Sequence, residues 1–145
     1  MSKAIGKVAA SLNLIIGVAW TFEIAFFFLT MAGISTPISS RAVFISATVW
    51  FIGPVFLVAG SLMILLGKLP TISLTISILA ALVLNGIVGD MVYDAFHPQP
   101  LQGPPPYKFY AVAIILTVLC DLCMVWLVAD WKQNRWKFGV NTSGA

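Results

Sequence analysis

Charge is scarce in this chain, and that scarcity decides its class. Only 9% of the 145 residues are charged, against 60% hydrophobic, and the mean hydropathy is +1.00. A soluble domain carries about a quarter charged residues, so this much polar surface could not cover a globule in water. The expected class is integral membrane.

Other scarcities narrow the options. Lysine and arginine are missing from the interiors of all four long apolar runs. Histidine occurs once, as His97, which excludes bis-histidine haem or multi-histidine copper ligation by this chain alone. Cysteine occurs twice, as Cys120 and Cys123, so no second thiol pair could pass electrons onward. The strict alternation of a membrane β-strand is absent. No basic patch is interleaved with exposed aromatics, so nucleic acid is not an expected partner. Almost no chain is left over for a separate soluble domain.

What is present is four apolar runs, at about 8–33, 42–67, 72–93 and 107–131. Each reaches the roughly 20 residues that cross about 30 Å of hydrocarbon. A span without water must satisfy its own backbone, so these runs read as helices. The first run is longer than the apolar core of a signal peptide and contains Glu23, so it reads as a span and not as a cleaved leader. The expected fold is all-α: a four-helix transmembrane bundle forming a single membrane domain, 1–145. Residues 132–145 form a tail, basic at first, with 140–145 expected to be disordered.

Local signals refine this plan. Pro54 follows Gly53 in the middle of the second run, so a kink is expected there. Ser46, Gly53, Gly60 and Gly67 recur every seven residues and form a small-residue seam. Ser73, Ser77, Ala81, Asn85 and Gly89 recur every four residues and suggest a second seam on the third run. The link Lys68-Leu69-Pro70-Thr71 is so short that runs two and three must be antiparallel neighbours. The third link, 98–106, has five prolines in nine residues and is expected to be extended.

The cations give an orientation. Lys3, Lys7, Lys68, Lys132, Arg135 and Lys137 fall on one side, and only Arg41 and Lys108 on the other. Cytoplasmic loops carry such an excess, so both termini are expected in the cytoplasm. The inner or plasma membrane is expected over an organelle.

Ionisable groups inside a membrane are functional-site hypotheses by default. Glu23, Asp90 and Asp121 qualify, with Asn13, Asn85 and Thr117 as uncharged polar company. A lone buried acid can exchange a proton or cation, pair with a partner subunit's basic residue, or sit neutral on a hydrogen-bonding neighbour. At about 1.5 Å per residue, Glu23 lies about 22 Å above the cytoplasmic start of run one, and Asp121 about 14 Å above the cytoplasmic end of run four. The two are therefore not expected to form a carboxylate pair. Tyr110, Thr117 and Asp121 share a helix face, which is expected to point into the bundle.

Two weaker constellations remain. Asp90, Asp94 and His97, spaced four and three apart, are candidates for a metal site at the outer interface. Cys120-x-x-Cys123 invites a redox reading, although mid-membrane cysteines more often pack as small apolar groups. The helix count and late C-x-x-C are similar to thiol oxidoreductases of the vitamin K epoxide reductase type, which also need an outer shuttle pair of cysteines. The four helices and the glutamate in the first are similar to small multidrug transporters. The charge bias and the proline-rich third link depart from them, and neither family is assigned.

No catalytic constellation is visible and nothing in the spacing specifies a cofactor, so an enzyme is not the expected outcome. The expected function is an accessory or structural subunit of a larger membrane complex. The alternative is a small oligomeric transporter or proton-coupled carrier using its intramembrane carboxylates. Expected partners are the bilayer itself, further copies of the chain, or other membrane subunits.

Overall fold

The computed structural model of the protein describes residues 3–32, 40–67, 69–97 and 106–138. Four helices account for nearly all of them: α1 (Lys3–Ala32), α2 (Ser40–Leu65), α3 (Pro70–Phe96) and α4 (Tyr107–Phe138). Each contains a stretch long and apolar enough to cross a membrane, namely Gly6–Leu29, Thr48–Leu65, Thr71–Phe96 and Tyr107–Gln133. The four-helix transmembrane bundle expected from composition is the observed architecture. The proline-rich stretch 98–105, most of the first link (33–39) and the end of the tail (139–145) lie outside the described residues.

The helix ends differ from the expected ones for local reasons. α1 begins inside the basic lead, at Lys3. Lysine is a good helix former, so the helix can start within the basic lead. α2 stops at Leu65 because Gly67 adopts a left-handed φ of 67°, a conformation glycine takes without steric cost. The Gly67 amide donates to the Ile64 carbonyl at 3.0 Å and so closes the last turn. Leu69, also left-handed at φ 44°, then hands over to Pro70 in the first turn of α3, where a missing N–H costs nothing. α3 runs past Tyr93 to Phe96 and ends at His97, at φ −125°. His97 precedes Pro98, which disfavours the helical region for the residue before it. α2 is helical on both sides of Pro54.

The helices form a ring in which each packs on its two chain neighbours and α4 closes onto α1. Side-chain pairs fix an antiparallel register between α1 and α4. Gly6 lies against Asp130, the Asn13 amide nitrogen donates to the Met124 sulfur at 3.2 Å, and the Phe27 and Phe109 rings stack at 4.7 Å. Phe27 also stacks on Trp50 of α2 at 5.6 Å, and Phe28 meets Trp50 edge-on at 5.7 Å. An aromatic cluster thus ties α1, α2 and α4 together at the end of the bundle opposite Gly6.

The bundle has an apolar core, yet its outer surface is apolar as well. Phe22, Phe26, Leu29 and Ile15 are exposed, while Asn13, Ser61, Ser73, Ser77 and Thr117 are buried. Contiguous exposed apolar surface is unfavourable in water and costs nothing in lipid. Small and polar residues at helix contacts are how membrane helices pack. The protein is a multi-pass membrane protein.

The two small-residue seams behave differently from one another. On α2, Gly53 and Gly60 meet α3, while Gly67 lies beyond the helix end with nothing within 4 Å of an added Cβ. A Cβ added to Gly60 would collide with the Ser77 hydroxyl and lie 3.0 Å from the Ser73 carbonyl oxygen, and one on Gly53 would lie 3.1 Å from the Leu84 side chain. The four-residue series on α3, expected on one face, does not stay there. Four residues turn a helix by about 40° more than a full circle, so sixteen residues drift by about 160°. Ser73 and Ser77 face α2, whereas Asn85 and Gly89 emerge on the exposed side.

Candidate functional site

The interior of the bundle holds a row of polar groups. Asn13 and Trp20 are both fully buried on α1. Continuing the α1–α4 register brings Trp20 level with Thr117, which is also buried. Ser61 is buried on α2. Four atoms of this row meet no hydrogen-bonding partner among the described residues: Asn13 Oδ1, Trp20 Nε1, Ser61 Oγ and Thr117 Oγ1. Asn13 and Thr117 stand out as polar residues within apolar runs. Trp20 and Ser61 do not, although Gly6, Asn13, Trp20 and Phe27 recur at sevens and share one face.

The serines of α3 satisfy themselves within the helix. Ser77 donates to the Ser73 carbonyl at 3.0 Å, and Ser73 to the Leu69 carbonyl at 2.9 Å. They are packing groups that keep their hydroxyls on their own backbone.

Asp121 is different. It is half-buried on α4, at the middle of the Tyr107–Gln133 span. Its Oδ1 accepts a 2.9 Å hydrogen bond from the Asn85 amide nitrogen of α3, itself at the middle of its span. The same nitrogen donates its second proton to the Ala81 carbonyl at 2.9 Å. Asn85 is exposed, so the pair lies in the α3–α4 seam on the outer surface of the bundle and not in its interior. This corrects the expectation that Tyr110, Thr117 and Asp121 point inward together. Thr117 is buried towards α1, whereas Asp121, one turn on, is rotated by about 40° to meet α3.

The other intramembrane acids stay apart from this pair. Glu23 is half-buried on α1, and makes no hydrogen bond or ion pair with the described residues. In the α1–α4 register Asp121 falls level with Ile16, about seven residues or roughly 10 Å from Glu23 along the axis. Asp90 is exposed on α3, one turn beyond Gly86.

The outer-interface trio is not assembled. Among the described residues no group of three His, Cys, Asp or Glu side chains could hold a metal ion. His97 lies past the end of α3, so the helical face that would have joined it to Asp90 and Asp94 stops short. Its ring folds back onto Tyr93 instead, with centroids 4.4 Å apart, and its Nδ1 lies 3.1 Å from the Tyr93 carbonyl oxygen. Cys120 and Cys123 are free thiols buried in the core, where they pack beside Met124 and Leu127.

One acid that sequence reasoning passed over is Asp130. A Cβ on Gly6 would collide with its carboxylate, and its carboxyl carbon lies 3.0 Å from that position. With no Cβ at position 6, the Asp130 carboxylate rests directly against the α1 backbone. Comparison with protein-family models, with curated proteins and with solved structures finds no match to this chain.

Proposed function

We propose that this chain is a small accessory or structural subunit of a larger membrane complex, held in place laterally through its α3–α4 seam. The observation that carries the reading is the Asn85–Asp121 pair, half-open at mid-membrane. A carboxylate at that depth is costly when it faces hydrocarbon. The chain has an interior in which it places Asn13 and Thr117, yet it turns its acid outward. Another membrane segment covering the seam resolves that cost.

The same reading takes both chain ends to be cytoplasmic, because six of the eight basic residues lie on the side of residues 3, 68 and 132. Cysteine introduced at Ser143 tests this: labelling by an impermeant reagent in intact cells overturns it.

A second reading, an oligomeric proton-coupled carrier, rests on Glu23, an intramembrane acid with no partner among the described residues. Extraction in mild detergent followed by native mass spectrometry separates the two. The subunit reading requires other chains at fixed stoichiometry. A homo-oligomer that transports, and loses transport in Glu23→Gln, replaces it with the carrier.

A further inference from the structure

We infer that the α3–α4 seam receives a transmembrane helix of a different protein, which brings a lysine or arginine to the level of Asp121. This rests on the subunit reading above and specifies its partner.

The argument starts from what the pair leaves unfilled. A primary amide nitrogen has two protons, and Asn85 uses both, on Asp121 Oδ1 and on the Ala81 carbonyl. What remains is Asp121 Oδ2 and Asn85 Oδ1, and neither meets a donor among the described residues. Both are acceptors. The seam therefore asks for a donor, and the carboxylate asks for a positive one. A guanidinium has enough N–H groups in one plane to reach both oxygens, and an ammonium can reach either.

The chain cannot supply that donor itself. Within its spans the only cations sit near the ends, as Lys7, Lys108 and Lys132. A second copy brings the same residues, so at this depth it offers acid to acid and no spare amide proton. Lipid headgroups lie well away from the midplane. The occupant that fits is a different chain with a basic residue in its span.

The glycines beside the pair say how closely that helix comes. A Cβ added at Gly86 or Gly89 meets nothing within 4 Å, whereas one at Gly53 or Gly60 meets α3 at once. Glycine inside a helix is unfavourable relative to alanine, and nothing among the described residues requires it at 86 or 89. Both lie on the Asn85 side of α3. Val118 and Val125, on the Asp121 side of α4, are exposed beside them. Small residues at such positions let another backbone approach.

The test is a photo-crosslinking amino acid at Leu82, exposed on this face, with Phe22 on the outer face of α1 as the control site. The full chain is used in its native membrane, and the crosslinked peptide is sequenced by mass spectrometry. The Leu82 position is expected to capture a membrane segment of another protein containing Lys or Arg, and Phe22 is not. The yield should fall about tenfold in Asp121→Asn, the worth of one interhelical polar contact of 1–2 kcal/mol. Gly89→Ala, whose added Cβ meets nothing within 4 Å among the described residues, should also lower the yield while thermal unfolding stays unchanged. Asp121→Lys should abolish the product, and Asp in place of the partner's basic residue should restore it.

Capture of a second copy of this chain overturns the inference. So does a partner segment without a basic residue, or an undiminished yield in Asp121→Asn. If other subunits co-purify but Leu82 captures none of them, the seam is wrong, and of the subunit reading only membership of a complex stands. If the chain purifies alone, both fall.

Discussion

α3 has two contacts that look alike in sequence and differ in kind. Against α2 it presents Ser73 and Ser77 to Gly60, so closely that a single added carbon would touch backbone. Against α4 it presents Asn85 to Asp121, with Gly86 and Gly89 beside them facing open space. Both are small and polar, and both follow from one four-residue spacing. The first is a finished contact, because its hydroxyls are satisfied within α3 and its glycine is filled by the neighbour. The second is unfinished, because its remaining polar atoms meet no donor among the described residues and its glycines have nothing within 4 Å of an added Cβ. A small residue in a membrane helix thus marks a close approach without saying whether the approaching helix belongs to the same chain.

The largest effect should come from the finished side. Gly60→Val forces a side chain onto the Ser73 carbonyl and the Ser77 amide, backbone atoms 3.0 and 3.1 Å from the position of its Cβ. The helices must separate, at a cost of about 1–3 kcal/mol or more. Gly60→Ala should already lose part of this. Both are measured by unfolding in increasing detergent denaturant. A Gly60→Ala protein as stable as the parent would show that α2 and α3 are not in this contact.

The next effect concerns the open side. Asn85→Leu leaves Asp121 without its donor and should destabilise the chain by about 1 kcal/mol. Adding Asp121→Leu should recover most of that, because removing both partners is cheaper than stranding one. A double-mutant cycle in the same unfolding assay reads the coupling directly. Strictly additive losses would mean that the hydrogen bond does not hold α3 to α4.

Most of the fold was legible in the sequence, because bilayer thickness and backbone satisfaction leave few alternatives for runs this apolar. The α2–α3 hairpin was legible from the short link, and the Gly53 and Gly60 seam from its seven-residue repeat. The direction of Asp121 was not. Helical periodicity assigns residues to faces, and Thr117 and Asp121, four apart, share one. It cannot say that α4 sits in the corner of a ring, with α1 on one side of that face and α3 on the other. The pairing of Asp121 with Asn85 depends on that corner. The metal trio failed for a local reason: counting fours and threes assumes a helix, and the proline after His97 ends it.

A smaller effect probes the interior row. Thr117 is buried with its hydroxyl unpartnered among the described residues, so Thr117→Val keeps the shape and removes a group that gains nothing from them. Stability should be unchanged or rise by less than about 1 kcal/mol. A marked loss would mean that the hydroxyl is in use, through a bound water or ligand, and would move attention from the seam to the interior.

The smallest effect is the sharpest, because its sign is opposite on the two sides of α3. Gly86→Ala adds a carbon where nothing lies within 4 Å, and alanine is the better helix former by about 0.5–1 kcal/mol. The isolated chain should therefore become slightly more stable, while Gly60→Ala, the same substitution on the α2 side, makes it less so. If a partner helix lies against Gly86, the gain in the isolated chain is accompanied by a weaker complex, seen as earlier dissociation during native electrophoresis. The two readouts then move in opposite directions for one added methyl group. If both improve together, lipid covers this face, and Gly86 is a glycine for which the structure holds no use.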